Sequence, residues 1–520
     1  MFVRFGLVVL ALCFCIPAFS QKKVKLKHGD TMRGGKRGED RVDWVVGNVV
    51  FTQNQTTIYC DSAEIFRSKN TLTAYGRIRI TEGDSVTVTS KNLSYDGNDK
   101  VAYLRKDVVF TKKGRATLYT DHLNYYRDRN MAQYFEGGKL VDSTNTLTSK
   151  KGYYDVNSNV ASFKTDVVSF NKDYTLHSDT LQYNAKTKIV YFRDSTNIVD
   201  KDGQTAIYQS GFYDTNKKKS DLDKGDIETQ SYKMKGDKYF LDDLRKLYKA
   251  KDNVVMTSKE EKMVIYGDDG FYDKLTGISK VYGNAYVAKV GDDKDTLFLS
   301  ADTLVSIESK DPRKKRLLAY NNVKIFKTDM QGIADSLVYV PFDSTLYMFK
   351  DPVLWNMENQ MTGDSVRLLI RKKKIDKIYL INNSFVVSQD SLTNFNQIKG
   401  KKMVATFNDS TISHVVVDGN GESIYFALDE QELKTDSALY KISYVMGMNQ
   451  IVCSNMKINF KVGKVNDISF YKKPDAKFIP PHEIKEPDTK LRGFVWRQEE
   501  RPEKSEVVKS KKASQRPTSQ

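Results

Sequence analysis

Cysteine and histidine chemistry is nearly absent from this chain. Four cysteines stand in 520 residues, and two of them, Cys13 and Cys15, fall in an apolar stretch at the start. Cys60 and Cys453 are too few for the disulfide framework of a small exported scaffold. The five histidines, His28, His122, His177, His414 and His482, never fall at metal-ligand spacing. There is no Gly-x-Ser-x-Gly, no phosphate loop and no paired Cys-x-x-Cys, so the common signatures of hydrolase, nucleotide and redox chemistry are missing. Proline is scarce and Ala-Leu-Glu helical runs do not occur. Beyond the first twenty residues no segment has the roughly 18 apolar residues of a membrane helix. These absences argue against an enzyme, and no cofactor or metal is expected.

What is abundant is β-forming and basic. Thirty Tyr and twenty-six Phe accompany frequent Thr and Val, residues that suit a pleated, half-buried surface. Lys and Arg exceed Asp and Glu by 83 to 66, a net charge of +17. That excess fits an anionic partner, and equally a surface whose lysines blunt exposed strand edges. At the start, Arg4, the apolar run Leu7–Ile16 and the small residues Ala18 and Ser20 read as a secretory signal peptide, residues 1–20.

The organising feature is a repeat. Ile65, Tyr95, Tyr125, Tyr154, Tyr183, Tyr213, Leu241, Tyr272, Ser306, Tyr339 and Leu368 end similar phrases, with neighbouring marks 28 to 34 residues apart. Self-similarity at a period of about 20–50 residues marks a repeat architecture. Each unit has a polar bend such as Asp96–Asp99, an apolar-x-aromatic step, a kink at Asp, Asn or Gly, and a strand such as Val108–Phe110. Side chains alternate along a strand, so one parity faces a common interior. The pairs Val49 and Phe51, Val108 and Phe110, Val254 and Met256, Val323 and Ile325, and Val353 and Trp355 are the candidate lining of that interior. Residues 241–251 have helix-like leucine spacing but align with strand text elsewhere, and are expected to be extended. A recurring Asp, at 61, 121, 179, 268, 302, 335 and 364, lacks the extra oxygen ligands of a calcium repeat; hydrogen bonding at turns or strand ends is its expected role.

The expected organisation is a lead-in at 21–40, a repeat array at 41–370 and modified β-repeats at 371–471. A proline-containing linker with a docking segment, 472–498, and a disordered basic tail, 499–520, follow. The fold class is all-β: an elongated twisted β-jelly-roll, or solenoid-like array, with an apolar interior groove.

These units, pairing phrases such as Asp107–Phe110 and Ser178–Tyr183 behind a signal peptide, resemble the OstA/LptA-like family of periplasmic lipopolysaccharide-transport proteins, also named for organic solvent tolerance. The resemblance covers about residues 40–370. It implies an open-seamed jelly-roll in the periplasm, possible association with the outer membrane, and acyl chains held in the groove. It further implies partners: lipopolysaccharide or another anionic glycolipid, jelly-roll domains of inner- and outer-membrane transport proteins joined by edge-strand addition, and end-to-end self-association, with no nucleic acid. The array is longer than the short bridge protein of the family, and the barrel of the long one is not expected in it. The reading from another class is a structural or adhesive β-repeat protein that binds carbohydrate.

Overall fold

The computed structural model describes residues 24–508, except for 54, 84–85, 114–115, 143–144, 171, 229–231, 260–261, 292–293, 372–373, 409–410, 436–437 and 462–463. The expected signal peptide and residues 509–520 of the expected tail lie outside the described residues. Among those described, the protein is all-β, with 37 strands and one four-residue α-helix, Lys504–Val507. Contacts divide it into two compact units, Met1–Asp194 and Ser195–Gln520. The division falls inside the expected 41–370 array, between the repeats marked by Tyr183 and Tyr213.

One strand of the first unit explains the architecture. Val101–Lys112 pairs antiparallel with Ala116–Tyr126: Arg105 lies opposite His122 and Val108 opposite Thr120, so Lys106 and Asp107 together face Asp121. Both have left-handed backbones, with φ of 62° and 51°. Two such residues in succession form a bulge that turns the strand through a corner. Thr165–Asp166 in the first unit, and Asp252–Asn253, Asn321–Asn322 and Asn382–Asn383 in the second, repeat the device. The residue types are mostly Asn and Asp, which tolerate this conformation best after glycine.

The recurring Asp residues face these corners. Asp61 lies opposite Gly47–Asn48 and Asp179 opposite Thr165–Asp166. The Asp121 carboxylate accepts from the backbone N–H of Asp107 at 3.0 Å. Asp268, Asp302 and Asp364 accept from the side-chain amides of Asn284, Asn322 and Asn383 at 2.7, 2.9 and 3.0 Å. Gly76 (φ 73°) occupies a corner where the Asp61 side chain fills the space a Cβ would need. Asp121, Asp268, Asp302 and Asp364 thus hold a neighbouring strand in its bent form.

The corner divides every long strand into two arms. First arms are joined by four-residue turns at 67–70, 97–100, 127–130, 156–159 and 185–188; second arms lie beyond the corner. The turns are built locally. The carboxylates of Asp96, Asp155 and Asp214 accept from the backbone N–H groups two and three residues on, as short polar side chains do in bends. Residues 241–251 are a hairpin: Tyr232–Asp242 and Leu247–Ser258 pair antiparallel across a turn at 243–246. Tertiary pairing overrides the helix-like leucine spacing there. Toward the C-terminus the strands lengthen, to 25 residues in Thr411–Thr435 and 24 in Ala438–Lys461.

Three expectations need correction. Val353 and Trp355 do not share a face with Val323 and Ile325. Ile325 pairs with Gly332, which pairs with Leu354, while Trp355 pairs with Gln331, opposite Phe326. The left-handed pair Lys350–Asp351 sets the register so that Leu354 points inward, and a one-residue slip moves every side chain to the other face. Within residues 472–498 the docking segment packs through Phe494 and Trp496, but Asp475–Ile479 is a strand paired with Ala438–Lys461 and not linker. Residues 499–508 are not disordered: Val507 is fully buried and Glu506 pairs with Lys324 at 3.1 Å.

Candidate functional site

Inward-facing residues of the second arms form one apolar stripe in each unit. In the first, Phe51, Ile58, Ile80, Val88, Phe110 and Leu118 are successive cross-strand partners, and the stripe continues through Leu140 and Leu147. In the second, Met256, Ile265, Val287, Leu299 and Ile325 stand in the same relation, followed by Gly332, Leu354 and Met361. Among the expected lining residues, Val49, Phe51, Val108, Val254, Val323 and Ile325 are buried, and Phe110 and Met256 half-buried. Val49, Val108, Val254 and Val323 flank the corners. Val353 and Trp355 are buried on the opposite face.

The first arms supply the facing wall. Near their turns, Tyr95, Ala102, Tyr125, Ala132, Tyr154, Ala161 and Tyr183 are successive cross-strand partners. The repeat marks therefore form a physical row, ring alternating with methyl. Strands stand about 4.8 Å apart, so rings recur roughly every 9–10 Å with a small residue in each gap. Deeper on this wall, Ala63, Ala74, Leu93, Leu104 and Leu123 are buried.

Polar groups meet across the rim of the first unit, which places the outer ends of the two arms face to face. Lys112, at the end of a second arm, has its Nζ 3.5 Å from the hydroxyl of Tyr154 and 5.8 Å from that ring's centre. Arg127, in a first-arm turn, donates to Gln53 at the end of a second arm. The Tyr125 hydroxyl is raised above its ordinary pKa by burial and then by the nearby Glu82 carboxylate. The left-handed turn residues reach back to the same row. Asn130 and Asn159 accept from Tyr125 and Tyr154 at 3.4 and 3.5 Å, while the Nζ of Lys188 lies 6.0 Å from the centre of the Tyr183 ring. The result is two facing apolar walls beneath a rim of hydroxyls and cations.

In the second unit, Tyr208 and Tyr239 meet edge-on at 5.5 Å, and burial raises both phenols. A cavity of about 120 Å³ remains, lined by Met361, Leu380, Met403, Phe407, Ile412 and Ile468 among others. It approaches the ~150 Å³ of an apolar cavity known to stay dry and admit benzene. Cys60 and Cys453 are both free and buried, one in each unit. Burial, then the adjacent Asp61, pushes the Cys60 thiol up to about 12, so it is an inert packing residue. Among the described residues no cluster of His, Cys, Asp or Glu is arranged to hold a metal, and no helix is long and apolar enough to cross a membrane.

A corner-folded repeat with an apolar inner stripe is the arrangement the sequence resemblance implied, and the comparison with known families agrees. Residues 21–179 match the family of OstA-like proteins. The OstA-like stretch contains the first-unit stripe from Phe51 to Leu147 and the Tyr–Ala row as far as Ala161. Among solved structures, LptH, the LptA homologous periplasmic component of the conserved lipopolysaccharide transport device from Pseudomonas aeruginosa, is 18% identical. That match covers 21% of this chain and 80% of LptH, with a TM-score of 0.19. No curated protein matches the chain.

Sequence reasoning found the second-arm stripe and missed the Tyr–Ala row as lining. The signal was present: the repeat marks are those tyrosines, and the step Ala102–Tyr103 holds the alanine that faces in. Attention to the larger neighbour hid it. The row containing Trp355 was missed because its neighbours include buried glutamines.

Proposed function

We infer that this protein is a periplasmic lipid-binding bridge, which passes lipopolysaccharide or a related anionic glycolipid along its apolar cleft toward the outer membrane. The observation that carries the reading is the first-unit apolar stripe from Phe51 to Leu147, facing a Tyr–Ala row beneath a rim that carries Lys112, Arg127 and Lys188. Acyl chains would lie between the arms, each buried methylene contributing about 0.8 kcal/mol. Gaps at Ala102, Ala132 and Ala161 give those chains room between rings. Sugar and phosphate would remain in water beside the rim cations, where attraction is modest and salt-sensitive. The OstA-like match over residues 21–179 supports the same reading. For partners, the strand Thr31–Arg37 pairs with Asp40–Val46 along one side and is exposed throughout, a geometry suited to strand addition by a jelly-roll domain.

Site-specific photo-crosslinking in cells tests this. A crosslinker replacing Phe110 or Ile325, on the inner stripe, should capture glycolipid identifiable by mass spectrometry. One replacing Val109, on the outer face, should capture far less. Folded, exported protein that captures lipid at neither face would refute lipid transport and favour the adhesive reading.

A further inference from the structure

The outer face of the second arms in the second unit carries a row that the lipid reading does not use. Phe326, Gln331, Trp355, Gln360, Val387 and Gln397 are successive cross-strand partners. Gln331, Gln360 and Gln397 are 4%, 2% and 0% exposed, although glutamine is seldom buried without a partner to satisfy its amide. Their partners come from the C-terminal segment.

Gln397 donates to the carbonyl of Thr489 at 2.7 Å and accepts from the N–H of Leu491 at 2.9 Å. Gln360 repeats the geometry, donating to the carbonyl of Val495 and accepting from the N–H of Arg497, both at 2.7 Å. Each amide bonds the carbonyl of one residue and the N–H two residues later, as a neighbouring β-strand would. Gln331 accepts from the Arg501 guanidinium at 2.7 Å. Apolar anchors accompany the ladder. Leu491 joins the cluster of Val387, Ile424 and Phe426, Phe494 and Trp496 each lie 5.2 Å from Phe395, and Val507 is fully buried.

We propose that this row is a binding site for an extended peptide, read through its backbone by Gln360 and Gln397, and that residues 489–507 are its ligand in cis. The amides contact only main-chain groups, so the site selects an extended backbone with apolar side chains at the Leu491 and Val507 positions. The resident segment does not satisfy everything beneath it. Nε1 of Trp355, between Gln331 and Gln360 in the row, is buried without a hydrogen-bond partner, so a peptide that placed a carbonyl there would bind with an added contact. The site stands on the opposite face from the lipid stripe and does not depend on it.

The test uses the full chain carrying Leu491→Ser and Val507→Ser, which release the segment without altering the sheet. A fluorescein-labelled synthetic peptide of residues 486–508 is then titrated by fluorescence anisotropy. Saturable binding to the released variant, and at least tenfold weaker binding to wild type whose site is filled, is the expected result. Adding Gln360→Leu and Gln397→Leu to the released variant should weaken the peptide at least tenfold more, with the β circular-dichroism signal retained. Trypsin cleavage after Arg497 should accelerate in the released variant and not in wild type. Peptide binding that ignores the glutamine changes, or no binding to a released variant whose segment trypsin now cuts, would overturn the proposal.

Discussion

The second arms of the two units share one inner face and differ on the outer one. Inside, both present the aliphatic and aromatic stripe described above. Outside, the first unit carries a row of threonines in which Thr52, Thr57, Thr81, Thr87, Thr111 and Thr117 are successive partners, while the second carries Phe326, Gln331, Trp355, Gln360 and Val387. Threonine suits a strand that meets water on one side. Tryptophan and glutamine suit one covered by another segment, and residues 489–507 supply the cover. The inner face is the repeat's own requirement; the outer face records what lies over it.

The largest expected contrast follows from that cover. Trp355→Ala should destabilise the second unit by about 3–5 kcal/mol, the usual cost of truncating a buried large aromatic. Phe110→Ala, at a half-buried position in the first-unit cleft, should cost less than half as much and chiefly reduce retained lipid. Urea unfolding followed by a fluorescence probe in each unit would separate the two. Equal costs would mean that the first-unit cleft is as closed as the covered face.

Ending the chain after Gln498 comes next. It removes Val507 from its buried site and leaves the Gln331 oxygen without Arg501. Burial of one valine contributes about 1.5–3 kcal/mol, so the second unit should melt several degrees lower and the first should not change. Differential scanning calorimetry decides; an unchanged second transition would reduce the segment's role to its glutamine contacts.

Corners should behave alike in both units. Asn48→Ala and Asn322→Ala each lose an amide bond to an Asp, at 3.0 and 2.9 Å, and put alanine in a left-handed backbone that asparagine tolerates better. A cost of about 1–2 kcal/mol is expected at either site, with Gly recovering the backbone part. A difference much above 1 kcal/mol between the two sites would show that the corner is not a common module.

The smallest effect concerns acid. Asp214 and Asp242 in second-unit turns are held below the usual carboxylate range, first by backbone N–H bonds from Lys217 and Arg245. Their folded pKa values lie under the unfolded value near about 3.9. The stabilisation is therefore present above that pH and fades as pH falls through the folded values. Asn184 already performs this turn role, accepting from Lys186 and Thr187. Asp214→Asn with Asp242→Asn should fold and show a slightly lower melting midpoint at pH 7, with the gap from wild type narrowing as the pH falls below the unfolded value.

Much of the cleft was legible because its periodicities are local. Alternation told Val108 and Phe110 from Val109, and polar bends such as Asp96–Asp99 told turns from strands. Parity failed at Val353 and Trp355 because it was counted from the apolar run; counted from the corner Lys350–Asp351, the same residue pair as Lys106–Asp107, Leu354 takes the place of Phe110. After Pro474 the expected docking segment does pack, with Phe494 and Trp496 against Phe395, whereas the ordered end at 499–508 was missed for a different reason. It has few apolar residues, and Val507 counts only because a fitted site receives it.

The sequence by itself determined the all-β class, the repeat length, the corners built on Asn, Asp and Gly, and the inner parity of most repeats. Each of these follows from sterics and hydrogen bonds within a few residues. Only the tertiary structure decided that the repeat tyrosines line up with alanines between them, that the chain divides at 194, and that Gln360 and Gln397 hold the C-terminal segment. Those outcomes depend on which strands become neighbours, and a contact between residues 92 to 137 positions apart leaves no periodic trace in the chain that makes it.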